Sequence, residues 1–85
     1  MSRPTGNTPF PQRARSLSPR QYAGPITRAM RPIPVRAWLL TVDGEEVEVE
    51  AEAVAWTGRA VRVSYVDKYG HEDSAWVWAG AVARR

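Results

Sequence analysis

All seven prolines of this 85-residue chain lie within its first 34 residues, and the remaining 51 residues contain none. Proline fixes φ and lacks a backbone N–H, so a segment this rich in proline is not expected to form long helices or the interior of a sheet. Residues 35–85, which contain no proline, can form regular secondary structure throughout. The sequence therefore divides into a proline-rich N-terminal arm, residues 1–34, and a globular domain, residues 35–85.

Charge follows the same division. The arm carries six arginines and no acidic residue, a charge of +6, whereas residues 35–85 carry six basic and nine acidic residues, a charge of −3. The modest net charge of +3 hides a basic arm joined to an acidic domain. The chain has no cysteine, which excludes a disulfide framework and a thiolate zinc site. Its small size also disfavours most enzyme architectures, because small domains bury a lower fraction of their surface.

Period-two alternation of apolar and polar residues predicts a first β-strand from Val35 to Val42. The strand leads into Asp43-Gly44, a dipeptide typical of a two-residue type I′ hairpin turn. A second strand follows, in which valines and alanines alternate with an outward row of carboxylates, Glu46, Glu48, Glu50 and Glu52. The apolar residues then change parity, which predicts a bulge or sharp bend near residues 53–55.

The rest of the domain predicts three more short strands. They cover residues 59–66, 74–78 and 82–85, with a loop at 67–72 and a single tight turn at 79–81. Gly70 is the expected left-handed residue of the loop. Five strands within about fifty residues, with one longer and bent, fit a closed or nearly closed all-β barrel better than a flat sheet. A flat sheet would expose its edges.

The ending Trp76-Val77-Trp78-Ala79-Gly80-Ala81-Val82 resembles the close of an SH3-like barrel, where a strand ends in a one-turn 3₁₀ helix and a short strand completes the circle. The resemblance covers about the last fifty residues. It implies a small five-stranded SH3-like barrel. The Ala-Leu-Tyr-Asp-Tyr type opening of SH3 domains is missing, so proline-peptide recognition is not carried over to any residue here.

All four tryptophans lie in the domain. One interpretation is an aromatic cage for a methylated or proline-rich peptide, drawn from Trp38, Trp56, Tyr65, Tyr69, Trp76 and Trp78. The other is that large aromatic side chains fill the core of a small domain. Trp76 and Trp78 share one face of their strand, which predicts a contact surface on the barrel.

The arm is expected to be largely extended, with one exception. Ser18-Pro19-Arg20-Gln21 has the residues of a capping box, flanked by Leu17 and Tyr22 as a hydrophobic staple, and Gly24-Pro25 ends the turn. A second short helix is predicted over Pro25–Met30. These features favour a segment that docks on a partner; the alternative is a disordered tail with chance capping residues. The candidate partner-binding residues are Arg13, Arg15, Leu17, Arg20, Tyr22, Ile26, Arg28, Met30 and Arg31.

Catalysis has little support in the sequence. His71 is the only histidine and lies in a predicted polar loop beside Glu72 and Asp73. The chain contains no phosphate loop, nucleophile motif or paired metal-ligand spacing. We therefore expect a non-enzyme with no cofactor, no metal and no small-molecule substrate. We also expect neither a signal peptide nor a transmembrane segment, since no apolar run is long enough, and hence a cytoplasmic or virion location.

Two functional hypotheses follow. The first is a structural or accessory subunit of a large assembly, such as a phage virion or capsid, with the barrel on the surface and the arm docked on neighbouring protein subunits. The second is an RNA- or DNA-binding protein of ribosome-associated type, whose arginine-rich arm contacts phosphates. A peptide-binding adaptor that uses the tryptophan surface is a third. We expect no membrane partner.

Overall fold

The computed structural model describes residues 13–85, so the predicted arm residues 1–12 lie outside the described part of the chain. The described residues form a four-residue helix, five β-strands and one 3₁₀ turn. In chain order these elements are α1 (Pro19–Tyr22), β1 (Thr27–Leu40), β2 (Glu46–Trp56), β3 (Ala60–Val66), β4 (Glu72–Trp78), the 3₁₀ turn (Ala79–Ala81) and β5 (Val82–Arg84).

The strands form one antiparallel sheet in the order β4-β3-β2-β1-β5. The all-β prediction is confirmed, and so are the tight turn before the last strand and the left-handed Gly70, whose φ is 85°. Within residues 13–85, β4 and β5 are the two edges of the sheet and do not pair with each other. The sheet is therefore not closed by strand pairing.

The core lies on the inward face of the strands. The side chains of β2 alternate as predicted, with small buried alanines inward and the four glutamates exposed. Val63 of β3 is fully buried at the centre. The buried core cluster consists of Val35, Ala37, Leu39, Ala51, Ala53, Val63, Tyr65, Ala75 and Val77. Four of these nine residues are alanines, so the cluster contains little side-chain volume.

The predicted bulge in β2 is confirmed. Ala53 pairs with Val63 and Ala55 pairs with Arg62, so Val54 has no partner of its own on β3. The pairing with β1 is interrupted at the same point, where residues 29–32 lie between two consecutive pairings of β1 with β2. Met30 lies in this excursion and is fully exposed, with 101% relative accessibility.

The first hairpin differs from the prediction. The N–H of Thr41 donates to the carbonyl of Glu45, and the N–H of Gly44 donates to the carbonyl of Thr41. The loop thus has three residues, 42–44, and Gly44 alone has positive φ. The predicted two-residue type I′ turn is wrong, because the Thr41 hydroxyl accepts the N–H of Glu45 and holds a three-residue loop in which Asp43 keeps negative φ.

The predicted helix over Pro25–Met30 is also wrong. These residues enter β1, where Thr27 pairs with Trp56 and Arg28 with Ala55, and the pairing with β2 outweighs a short helix that nothing else supports. β1 thus crosses the compositional boundary between residues 34 and 35. The carbonyl of Pro34 faces the edge of β1 away from β2, where it accepts the N–H of Arg85. The nitrogen of Pro34 faces the same edge, so its missing N–H removes no hydrogen bond to β2.

Candidate protein-binding groove

Residues 13–22, which we call the strap, run along the open sheet. Near its start the strap pairs with the end of β1 through the bridge between Ala14 and Thr41. The N–H of Arg15 donates to the carbonyl of Leu40 at 2.7 Å, and the N–H of Val42 donates to the carbonyl of Arg13 at 3.0 Å. Successive residues of a strand point their backbone groups to opposite edges, and the N–H of Thr41 points toward β2. The neighbouring Leu40 and Val42, which bond to the strap, therefore point to the other edge of β1, the edge that β5 pairs with further along.

The strap then reaches the edge strand β4. The N–H of Leu17 donates to the carbonyl of Trp76 at 2.9 Å, and the N–H of Trp76 donates to the hydroxyl of Ser16 at 2.9 Å. Two backbone groups on the edge of β4 are thereby satisfied. The strap links β1 to β4 across the gap that strand pairing leaves open.

The predicted capping box is present at the end of the strap. The Gln21 side chain accepts the N–H of Ser18 at 2.9 Å, and Pro19 occupies the first helical turn. α1 places the ring of Tyr22 on the ring of Trp76, with centroids 4.1 Å apart and planes inclined by 15°. The Thr57 hydroxyl, in the turn between β2 and β3, donates to the carbonyl of Tyr22 at 2.6 Å.

A groove of about 340 Å³ lies between the strap and the strands. Its strap side has a mixed character, whereas its strand side is apolar and contains three of the four tryptophans. The lining residues are Arg15, Ser16, Leu17 and Gln21 from the strap, and Trp38, Leu40, Trp76, Val77, Trp78 and Ala81 from the strands and the 3₁₀ turn. Because both parts contribute, the groove depends on the position of the strap.

The chemistry of the groove suits protein recognition. Trp38 is 52% exposed and Trp78 is 48% exposed, and both offer broad apolar surfaces with an indole N–H donor. Among residues 13–85, Arg15 is the only charged residue that lines the groove, and its guanidinium lies 3.5 Å from the carbonyl of Val42. An extended apolar segment that carries one carboxylate would satisfy both features.

The two predicted contact residues of the barrel, Trp76 and Trp78, both line this groove. Trp38, a member of the suggested aromatic cage, joins them from β1. The other members of the suggested aromatic cage lie elsewhere. Trp56 lines a separate apolar depression, Tyr65 is buried in the core, and Tyr69 lies on the loop between β3 and β4. The structure therefore brings together three of the six aromatic residues.

The candidate residues of the arm separate into two groups. Arg13, Arg15, Leu17 and Tyr22 lie on the protein's own sheet as part of the strap. Ile26, Met30 and Arg31 are exposed at or near the start of β1, and Arg28 lines an open depression that Glu72 and Asp73 also line. Arg20 is exposed on α1 and does not line the groove. Sequence reasoning missed Ser16 and Thr57, whose hydroxyls bond to backbone groups far away in the sequence, and it indicated Gln21 only as a capping residue of α1.

The charges are distributed unevenly along the sheet. The end formed by residues 27–33, 57–60 and 79–85 contains arginines and no acidic residue, among them Arg31, Arg59 and Arg84. The opposite end carries acidic residues of the hairpin 42–46 and the loop 67–73. The domain thus has a basic end and an acidic end.

The loop between β3 and β4 holds the single histidine. The buried carboxylate of Asp67 accepts the N–H of Tyr69 at 2.8 Å and that of His71 at 2.9 Å, and His71 Nδ1 lies 3.4 Å from Asp67 Oδ2. These contacts fold the loop around Asp67. Within residues 13–85, no group of three or more potential ligands could hold a metal ion.

The phenol of Tyr65 has a shifted pKa. Burial raises the pKa of its phenol, and the nearby negative charges of Asp73 and Asp67 raise it further. The hydroxyl lies near Asp73 and the Ala14 backbone without a hydrogen bond of good geometry to either. Tyr65 therefore remains a neutral core residue to alkaline pH.

Comparison of the chain with protein-family models, characterised proteins and solved structures found no significant match. No helix among residues 13–85 has the length and apolar character needed to cross a bilayer. The groove and the charge distribution are therefore the features from which a function can be argued.

Proposed function

We propose that this protein is a non-enzymatic subunit of a larger protein assembly, built on an SH3-like barrel, and that its aromatic groove docks a segment of a neighbouring protein. The observation that carries the proposal is the pair of half-exposed tryptophans, Trp38 and Trp78, in one groove. Tryptophans in partly enclosed surfaces supply much of the binding energy of protein interfaces.

The SH3-like assignment is supported by the element order. Strands β1 to β4 follow each other as an antiparallel meander, β5 returns to β1, and the 3₁₀ turn Ala79–Ala81 precedes β5. The strap spans the remaining gap between β1 and β4. A small barrel of this kind offers its surface grooves for binding, because its interior is filled by side chains.

The partner that the groove fits is an extended protein segment with apolar residues and one acidic residue. Apolar side chains would cover the indoles of Trp38 and Trp78, and the carboxylate would lie against Arg15. The arm residues 13–22 are engaged on the protein's own sheet. In this proposal the groove, rather than a free arm, therefore makes the principal contact with the neighbour.

A selection from a library of random twelve-residue peptides tests this proposal. The full chain is the target, and an enriched peptide is then titrated into it while the indole N–H signals of Trp38 and Trp78 are followed by NMR. We expect enriched peptides to be apolar with an acidic residue. Trp38→Ala and Trp78→Ala should each weaken binding by at least about tenfold.

Two matched controls are available on the same chain. Tyr69→Ala removes an exposed aromatic residue outside the groove and should leave the affinity unchanged. Arg15→Gln should weaken acidic peptides, whereas Arg20→Gln, a charge loss on the strap outside the groove, should not. Enrichment of no peptide, or of peptides that bind both tryptophan variants as tightly as the wild type, would refute the proposal.

Nucleic-acid binding is the second candidate, favoured by the acid-free end that carries Arg31, Arg59 and Arg84. Anisotropy of a labelled twenty-base-pair DNA or RNA duplex at 50 and 150 mM salt tests it. Contacts with three phosphates predict a slope of about −2.7 in log K against log salt. The exposed glutamate row of β2 opposes nucleic acid on that face, so Arg31→Gln and Arg59→Gln should each weaken binding and make the slope about one unit shallower, whereas Arg36→Gln, beside that row, should change neither.

A further inference from the structure

We infer that the strap can leave its own sheet and occupy the same position on a second copy of the chain, so that each groove is completed by a neighbour. The strap supplies Arg15, Ser16, Leu17 and Gln21 to the groove. In the exchanged form these residues would come from the other copy. Exchange of the strap would be one way in which copies of the chain assemble. It rests on the proposed function only in taking assembly to be the role of the protein.

The segment that joins the strap to β1 has the properties of a hinge. Ala23 has φ 32° and ψ 155°, a conformation that residues with a side chain rarely adopt, and it is the only non-glycine residue with positive φ among residues 13–85. Gly24 follows with φ 89°, and a Cβ at that position would meet no atom within 4 Å. The reversal of direction after α1 is concentrated in these two residues.

Opening this hinge would relieve the strain at Ala23 without costing contacts. The contacts of the strap with β1 and β4 are the same whether the two partners belong to one chain or to two. Four residues, 23–26, can span at most about 13 Å when extended, so the exchanging copies must lie side by side. Relief of the strain at Ala23 favours exchange. The high effective concentration of the strap near the sheet of its own chain opposes exchange.

The strap also lies outside the buried core cluster of the sheet. None of the residues of α1 is buried, and the hydrogen bonds to β1 and β4 join mainly backbone atoms. The core cluster of the sheet consists of residues outside the strap, with Ala14 as the strap residue packed against it. The strap can therefore be released without taking the core apart.

Cysteine cross-linking tests the exchange directly, because the chain has no cysteine of its own. Ala14 and Thr41 face each other at a bridge position flanked by hydrogen bonds, the kind of pair in which the Cα atoms are closest. A mixture of Ala14→Cys chains and Thr41→Cys chains can form the 14–41 disulfide only if the strap of one copy lies on the sheet of another.

We expect this mixture, oxidised after equilibration, to give the mixed disulfide in excess of both like-with-like dimers and in proportion to protein concentration. A mixture of Ala14→Cys with Ala83→Cys, an exposed position on β5, is the control for random collision. Ala23→Gly relieves the strain in the closed form, so combining it with both cysteine variants should lower the yield by about tenfold.

Mixed disulfide no more abundant than in the control mixture would overturn the inference. Sedimentation of the wild-type chain provides a second measurement that needs no substitution. A monomer at every concentration up to about 1 mM would also overturn it. The double variant Ala14→Cys/Thr41→Cys, locked as a monomer by an internal disulfide, keeps the groove intact; peptide binding by this form separates failure of the exchange from failure of the proposed function.

Discussion

The ring of Tyr22 stacks on the ring of Trp76, with centroids 4.1 Å apart and planes inclined by 15°. This contact joins the end of the strap to the edge strand β4 of the sheet. It also covers one tryptophan of the groove region and leaves Trp38 and Trp78 half-exposed. The strap is therefore part of the fold and, at the same time, one wall of the groove.

Replacing Tyr22 tests the stability that the stacking provides. We expect Tyr22→Ala to lower the free energy of unfolding by about 1–2 kcal/mol, because it removes an offset aromatic pair together with its buried area. Tyr22→Phe keeps the ring and should be close to wild type. Urea unfolding followed by tryptophan fluorescence measures both, and an unchanged stability of Tyr22→Ala would show that the strap is not held by the stack.

Thr57 connects the strap to the turn between β2 and β3. Its hydroxyl donates to the Tyr22 carbonyl and accepts the N–H groups of Arg59 and Ala60, each at 3.2 Å. Thr57→Val should cost about 1–3 kcal/mol of unfolding free energy, since it leaves polar groups without their partner. Thr57→Ser retains the hydroxyl and should recover most of that loss. Equal stability of the valine and serine variants would contradict this role.

Gly44 tests the three-residue hairpin. Its φ is 87° and a Cβ would meet no atom within 4 Å, so the cost of Gly44→Ala is conformational, about 1 kcal/mol. Gly58 has the same open surroundings without positive φ, and Gly58→Ala should be neutral or slightly stabilising. Thermal unfolding of the two variants distinguishes them. Equal effects would mean that Gly44 does not need the left-handed conformation.

The raised pKa of Tyr65 predicts an alkaline loss of stability. Burial favours the neutral phenol in the folded chain, so the stabilising contribution is complete below the unfolded pKa of about 10. It is lost as pH rises from there through the raised folded pKa, because the unfolded chain ionises first. Tyr65→Phe should reduce this loss, whereas Tyr69→Phe, on the exposed loop, should not. Unfolding free energies between pH 8 and 11 measure the difference; identical profiles for wild type and Tyr65→Phe would contradict it.

Much of the sheet could be predicted from the sequence, because side-chain alternation reports which face of a strand is buried. The alternation of β2 and its bulge at Val54 were derived in this way, and the left-handed Gly70 from the preference of glycine for positive φ in loops. The beginning of β1 could not be predicted from the sequence. Pro32 and Pro34 argue against a strand as long as it is unknown which edge of the strand their nitrogens face.

The groove was predictable only in part. Trp76 and Trp78 share a face two residues apart, which the sequence shows directly, whereas Trp38 lies in the same groove on β1, a strand that does not pair with β4. The strap is attached mainly by backbone hydrogen bonds at Arg15 and Leu17, and such bonds leave no side-chain pattern to be read. A basic, proline-rich composition therefore suggested an arm for neighbours where the structure shows a strap on its own sheet.

The most direct test of this account is by NMR on the full wild-type chain at low concentration. Two quantities are measured: nuclear Overhauser contacts between the rings of Tyr22 and Trp76, and the rate of hydrogen exchange at the N–H of Leu17. The account predicts ring-to-ring contacts and a Leu17 N–H that exchanges far more slowly than in an unfolded chain, because it is bonded to the Trp76 carbonyl. Absence of the contacts, with unprotected exchange throughout residues 13–22, would show that the strap does not form a wall of the groove.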